Sequence, residues 1–294
     1  MAERALAEPG LLLIAHGSPS AAWNGPVLDL GRRVADEAAR GGTFKAVRTA
    51  MLEAVQPDVP TAVAELEAEG CDRIVAVPLF IAPSGHTHFD VPAVLGIYAS
   101  PRTTNLLAQE GARIARPKVP ITLVETLSEG EVLSAFVVDE VRKLSRSPKD
   151  EALVVLAHGD PEHHLLVDRL LRQIVTGCCG ATGVAQGDWA FIGVGQEYLA
   201  NGVPAIKAAA EGKKRVLVVG LYLSTSAAKL HRRALAMTHH REPGQDPGHD
   251  PLQGHDVVFS EGAVIDHPSL IPWILASAQA ALDPSLPRKT AGDK

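Results

Sequence analysis

Short runs of Val, Ile and Leu alternate along this chain with longer amphipathic stretches. Residues 11–15, LLLIA, are apolar throughout and too short for a helix, the signature of a buried strand. Residues 26–40 carry helical periodicity, with Pro26 suited to a first turn and Gly41-Gly42 as a stop. Residues 44–52 alternate as a strand does. Residues 58–69 predict a helix with Asp58 as N-cap and Gly70 at its end. A third strand is expected over 73–81, an interrupted helical stretch over 88–112 with breaks at Gly96 and Pro101, a fourth strand over 119–125 and a well-capped helix over 128–144. The polar, proline-containing stretch 145–151 reads as a linker. The order then repeats, with strands near 153–157, 188–195, 215–222 and 256–260 and helices near 161–175, 202–211, 226–238 and 268–282.

Strand and helix in alternation imply parallel sheets covered on both faces. The expected class is α/β: two similar domains, each a four-stranded parallel sheet flanked by helices, with a cleft between them. The expected boundaries are an N-terminal tail 1–10, a domain 11–147, a second domain 152–285 and a C-terminal tail 286–294. Residues 239–255 depart from the pattern. They are rich in His, Pro and Gly and predict a long loop, able to bind metal weakly but equally able to be a solvated loop.

The two halves also match residue by residue. LLLIAHG (11–17) recurs as LVVLAHG (153–159), and Glu53 and Pro60 match Glu197 and Pro204. A repeat of about 140 residues is too long for a solenoid unit and points to duplicated domains. Each copy places an imidazole, His16 or His158, where an apolar strand ends, the edge at which open α/β sheets carry their ligands.

His16 ends the first strand, Glu53 ends the second and His86 follows the third. Parallel strands discharge at one edge, so three residues far apart in sequence are expected to meet there. Two imidazoles and a carboxylate suit a divalent cation such as Fe²⁺, Co²⁺, Ni²⁺ or Zn²⁺ and can also accept protons. Singly, each is as well explained by structure: a histidine hydrogen-bonded at a strand end, a glutamate capping a helix. Recurrence strengthens the set. In the second half it reads His158, Glu197 and a displaced His231, because Ala228 stands opposite His86. His88 is a candidate to support the set from behind, and His163 and His164 read as surface residues.

Composition narrows the classes. A length of 294 residues accommodates two domains, and 46% hydrophobic but only 4% aromatic residues make their cores aliphatic. A net charge of −6 argues against a general nucleic-acid binder, although Arg102, Arg113, Arg116 and Lys118 form a local basic stretch. Three cysteines without a CxxC spacing argue against a disulfide framework or a cysteine metal site. The first residues lack the apolar core of a secretory signal, and no apolar run is long enough to span a membrane, so a cytoplasmic protein is expected.

AHGS (15–18), LEAVQPDVP (52–60) and VPLFIAPSGHTHFDVP (77–92) resemble the class II, ATP-independent tetrapyrrole metal chelatases, in particular the sirohydrochlorin cobalto-/ferrochelatases in their long two-half form. The resemblance is strong over 11–95 and weaker over 153–231. It implies two chelatase-like domains and insertion of Co²⁺ or Fe²⁺, with Ni²⁺ an alternative, into a sirohydrochlorin-type ring for cobalamin or siroheme synthesis. It also implies metal handling by His16 and His86, with Glu53 orienting a histidine or relaying protons. Basic side chains should meet the ring's carboxylates, with Arg48, Arg102 and Arg113 as candidates. No nucleotide is implied, and no GxxxxGK[ST] loop is present. A monomer or a homodimer would serve. The rival readings are a cobalt or nickel carrier using the same ligands and a tetrapyrrole-binding homologue without turnover. A hydrolase using Ser18 lacks the GxSxG turn.

Overall fold

The computed structural model describes residues 7–19, 21–53, 55–98, 100–129, 131–192, 197–239 and 250–283. Most of the His-rich stretch, the first six residues and the C-terminal tail lie outside the described residues. None of the described helices is long and apolar enough to cross a membrane.

The described residues form two compact units, one within Met1–Gly130 and Pro268–Lys294, the other within Glu131–His267. In chain order the first contains β1 (Pro9–Ala15), α1 (Ala21–Gly41), β2 (Ala46–Met51), α2 (Val59–Ala68), β3 (Arg73–Pro78), a π turn (His86–Asp90), α3 (Val91–Val94), α4 (Pro101–Gln109) and β4 (Ile121–Leu123). The second contains α5 (Val132–Leu144), β5 (Glu151–Ala157), α6 (His164–Thr182), β6 (Gln186–Phe191), a π turn (Tyr198–Gly202), α7 (Val203–Ala210), β7 (Arg215–Leu221), α8 (Ala227–His239) and β8 (Val257–Phe259). The chain then supplies α9 (Leu270–Ala280) to the first unit.

Each unit has one four-stranded, all-parallel sheet, and the strand orders correspond: β2-β1-β3-β4 and β6-β5-β7-β8. The central strands β1 and β5 are buried along their whole length, and apart from Glu151 at the start of β5 their residues are apolar, as burial on both faces requires. Around β1 the core is aliphatic, with Leu12, Ile14, Val63, Leu66 and Ile74 packed together; around β5, Val154, Leu156, Ile206 and Val218 do the same. This is the α/β architecture of two four-stranded parallel sheets expected from the alternating pattern.

The distribution of two helices differs from the expected boundaries. α5 packs on α6 and β7, in the second unit. α9 packs on α1 and β3, and Gln279 donates from Nε2 to Thr43 Oγ1 at 3.1 Å. An amphipathic pattern shows that a helix has a face to bury but not which sheet receives it. The expected linker is itself built into the second unit. Glu151, 1% exposed, accepts hydrogen bonds from Ser145 Oγ and the amides of Arg146 and Ser147.

Other boundaries moved for local reasons. α1 begins at Ala21, so Pro26 lies inside it, where Asn24 Nδ2 donates to Ser18 O at 2.7 Å just upstream. α5 starts at Val132 without a side-chain cap, contrary to the well-capped helix expected from 128. Asp58 caps α2 as expected, accepting from Thr61 N at 3.0 Å.

Candidate metal-handling site

The site begins with the register of the first sheet. Parallel pairing of β1 with β2 continues beyond the strands, through Leu52 N donating to Ala15 O at 2.8 Å and Glu53 N to His16 O at 2.9 Å. On the other side Leu79 N donates to Ile14 O at 2.7 Å. His16 and Glu53 are therefore locked side by side through their own backbones. Gly17 makes that possible. Its φ is +87°, and a Cβ there would lie 2.3 Å from Glu53 O, so only glycine fits.

His86 arrives by a different route. After β3 the chain turns through residues 79–85, where Thr87 Oγ1 accepts from Ser84 N and donates to Ser84 O. The π turn His86–Asp90 follows, closed by the Val91 amide donating to His86 O. Pro92 has no amide to give His88 O in the ordinary helical register, so the wider turn is accommodated immediately before it. The same Val-Pro pair follows the π turn of the second unit, at Val203-Pro204.

Ligand atoms of His16, Glu53 and His86 all lie within 4.8 Å of one another. His16 Nε2 is 3.8 Å from Glu53 Oε2, and His86 Nδ1 is 3.6 Å from Glu53 Oε1. The imidazoles meet edge to face, centroids 4.7 Å apart. His16 is exposed and the other two are half-buried, so an ion arriving from solvent can reach them. Among the described residues this is the one group of His, Cys, Asp or Glu side chains so arranged. The His16 tautomer follows from its partner. Nδ1 is 2.8 Å from Gly17 O, a carbonyl can only accept, and the lone pair of the neutral ring is left on Nε2, the nitrogen facing Glu53.

In the second unit His158 repeats that geometry, with Nδ1 2.7 Å from Gly159 O and Ile192 N donating to Ala157 O. The rest of the expected set does not assemble there. Glu197 is exposed at the start of the π turn that follows β6. Ala228 is buried at the start of α8, where His86 has its counterpart. His231 turns inward. Its Nδ1 is 2.8 Å from the Tyr198 hydroxyl, and its ring stacks on Phe259 at 4.3 Å and 11°. Burial lowers its pKa below the ordinary histidine value, against the opposing pull of Asp250. His231 is thus a half-buried histidine packed on Tyr198 and Phe259, one helical turn beyond the position opposite His86.

Two of the basic candidates are held by carboxylates of the first unit. Arg48 is in β2, paired with Glu65 of α2 and with Glu69, the residue that follows that helix. Arg113 is bidentate to Asp58, at 2.7 Å from Nε and from Nη2, and also reaches Thr61. Burial alone would raise the Asp58 carboxyl, but the hydrogen bonds from Thr61, Arg113 and Gln56 outweigh it and hold its pKa at about 2. Arg102 is exposed in the first turn of α4. His88 is exposed on the π turn, whereas His163, expected at the surface, is largely covered and bonded to Asp160.

Asp90 is the neighbour not singled out from sequence: its Oδ2 is 2.8 Å from His86 Nδ1. The signal was a carboxylate four residues beyond a histidine, which shares a face only if the segment is helical.

Two α/β units, each with a four-stranded all-parallel sheet and the first with His16, Glu53 and His86 at its carboxyl edge, have the two-domain architecture of the chelatase fold. The CbiX family matches residues 10–144. The sirohydrochlorin cobaltochelatase of Saccharolobus solfataricus is 29% identical over 134 residues, covering 46% of this chain and 94% of the relative. That of Saccharolobus islandicus (strain L.S.2.15 / Lassen #1) is 33% identical over 101 residues, covering 34% of this chain and 74% of the relative. The fold of the sirohydrochlorin chelatase SirB from Bacillus subtilis subspecies spizizenii, crystallised with cobalt, superimposes with a TM-score of 0.61 at 13% identity, covering 93% of this chain and 95% of that one. The chain belongs to the CbiX family of sirohydrochlorin chelatases.

Proposed function

We propose that this protein inserts Co²⁺ or Fe²⁺ into a sirohydrochlorin-type tetrapyrrole, without a nucleotide, on the way to cobalamin or siroheme. The observation that carries the reading is the convergence of His16, Glu53 and His86 at one sheet edge. The metal is substrate. As it enters the macrocycle two pyrrole N–H protons must leave, so the site needs groups that hold a divalent ion briefly and groups that take protons. Neutral imidazole does both, and a carboxylate 3.6–3.8 Å from each ring stabilises the imidazolium that results. Donor atoms 3.6–3.8 Å apart are close to the spacing of neighbouring ligands around one divalent ion, so the three side chains can share it with little movement.

Apolar surface for the ring is at hand in the same unit. Trp23, in the first turn of α1, is 39% exposed, and Phe89, in the π turn, is 47% exposed. The reaction centre belongs to the first unit, since His158 lacks its partners among the described residues.

The test is an anaerobic optical titration of the purified protein with sirohydrochlorin, then Co²⁺ or Fe²⁺. A protein-dependent acceleration of the shift to the metallated spectrum is expected. Tight metal uptake with no effect on the ring would instead mark a metal carrier, and ring binding without acceleration a homologue that has lost turnover.

A further inference from the structure

We propose that Asp90 is the positioning residue of the metal site. Its carboxylate holds the Nδ1 hydrogen of His86, so that this imidazole turns a fixed edge and its Nε2 lone pair to the incoming ion. The inference rests on the chelatase reading for the identity of the ion's destination, but not for the geometry.

Four observations carry it. First, Asp90 Oδ2 is 2.8 Å from His86 Nδ1, within hydrogen-bond distance, while Glu53 Oε1, at 3.6 Å from the same nitrogen, is beyond it. A carboxylate is an acceptor, so the hydrogen resides on Nδ1. Second, Asp90 has no competing duty in the helix it precedes. It occupies the N-cap position of α3 with helical backbone angles and makes no side-chain cap hydrogen bond there. Third, the π turn brings residues 86 and 90 onto one face, and Pro92 builds that turn into the backbone. Fourth, Asp90 is not one of the ligand group His16, Glu53 and His86, so its carboxylate is free to act on the ring without serving as a ligand itself.

The two histidines thereby become unequal. His16 is held by a neutral carbonyl, Gly17 O, and His86 by an anion. Histidine ligands commonly lean on such a carboxylate, which fixes the tautomer and strengthens the ring as a donor; its removal costs about 10–100-fold in metal affinity.

The tautomer is directly observable in full-length protein labelled with ¹⁵N-histidine, by long-range ¹H–¹⁵N correlation at a pH where the ring is neutral. His86 signals are identified by their loss in His86→Gln. The wild type should show His86 as the Nδ1–H tautomer. Asp90→Asn, close to isosteric and able to turn its amide toward Nδ1, should shift His86 toward Nε2–H. Asp90→Ala should do likewise and weaken Co²⁺ binding by calorimetry about 10–100-fold. Asp90→Glu should recover part of that loss. An Nε2–H tautomer in the wild type overturns the proposal. So does a folded Asp90→Ala protein with unchanged tautomer and Co²⁺ affinity, and Asp90→Asn decides the matter if the alanine variant does not fold. None of these readouts requires the tetrapyrrole. A wild type that fails to metallate the ring would sink the chelatase reading, while an unmoved tautomer would sink only the role of Asp90.

Discussion

The ends of β1 and β5 carry the same turn of chain, with a histidine pinned by its Nδ1 to the next carbonyl and the following strand hydrogen-bonded alongside. Two residues then separate the units. Where the first has Gly85-His86, the second has Ala227-Ala228, both buried, with α8 starting at once. Where α2 begins with Asp58 as a working cap, α7 begins with Gly202, which has no side chain to offer. The second unit repeats the packing, but among its described residues the His–Glu–His set does not recur. Core packing depends on many interchangeable aliphatic contacts, whereas a metal site depends on three particular atoms.

The largest expected difference between the units is catalytic. His86→Ala or His16→Ala should lower metal insertion by about 10²–10⁴-fold, while His158→Ala should leave it near wild type, both read in the anaerobic optical assay. A comparable loss in His158→Ala would mean that the second unit also acts on the substrate.

The two glycines that follow those histidines give a second contrast. Gly17→Ala forces a Cβ at positive φ against the Glu53 carbonyl and should cost about 1–3 kcal/mol in denaturant unfolding, with loss of activity. Gly159→Ala meets the Phe191 side chain at 3.0–3.1 Å, which can shift, and should cost less and spare activity. Equal costs would show that the two turns are under equal constraint.

Capping should differ next. Asp58→Ala should cost about 1 kcal/mol of stability at neutral pH, whereas Gly202→Ala removes no cap. The Asp58 carboxyl is held at about 2, below its ordinary 3.8. Its contribution is therefore complete above pH 3.8 and is lost as pH falls through about 2. Acid titration of Asp58→Asn beside the wild type would reveal it as convergence of the two curves.

The smallest effect lies in the second unit. Tyr198→Phe should cost about 0.5–1.5 kcal/mol for the hydrogen bond to His231. Since burial depresses the folded pKa of His231 below 6.5, its contribution is present above that value and is lost as pH falls through the depressed one. Unfolding measured from pH 7.5 downward should show this loss, and His231→Phe should flatten it. An unchanged slope in that variant would assign the loss to another group.

Much of this was legible before any coordinates. Eight strands and their parallel direction follow from apolar runs alternating with amphipathic ones. His16, Glu53 and His86 could be grouped because parallel strands share an exit edge, an argument that needs only strand ends. The rest depended on facts that no local pattern carries. Arg48 and Arg113 read as spare cations because the carboxylates of α2 that hold them are brought to them only by folding. His231 read as a displaced ligand because sequence registers distance along a helix and not which way its face turns. Asp90 was hidden by the π turn. The partners of α5 and α9 were hidden because one amphipathic face fits either sheet.

The destination of α9 bears on how the protein is made. The first unit's sheet is synthesised by residue 123, yet the helix that covers α1 and β3 begins only at Leu270. On the ribosome, the unit carrying His16, Glu53 and His86 emerges before the helix that covers it, and waits while the second unit is synthesised around α5. A fragment ending at residue 147 would therefore retain His16, Glu53 and His86 and still be an unfinished protein, with α5 lacking its sheet and β3 lacking α9.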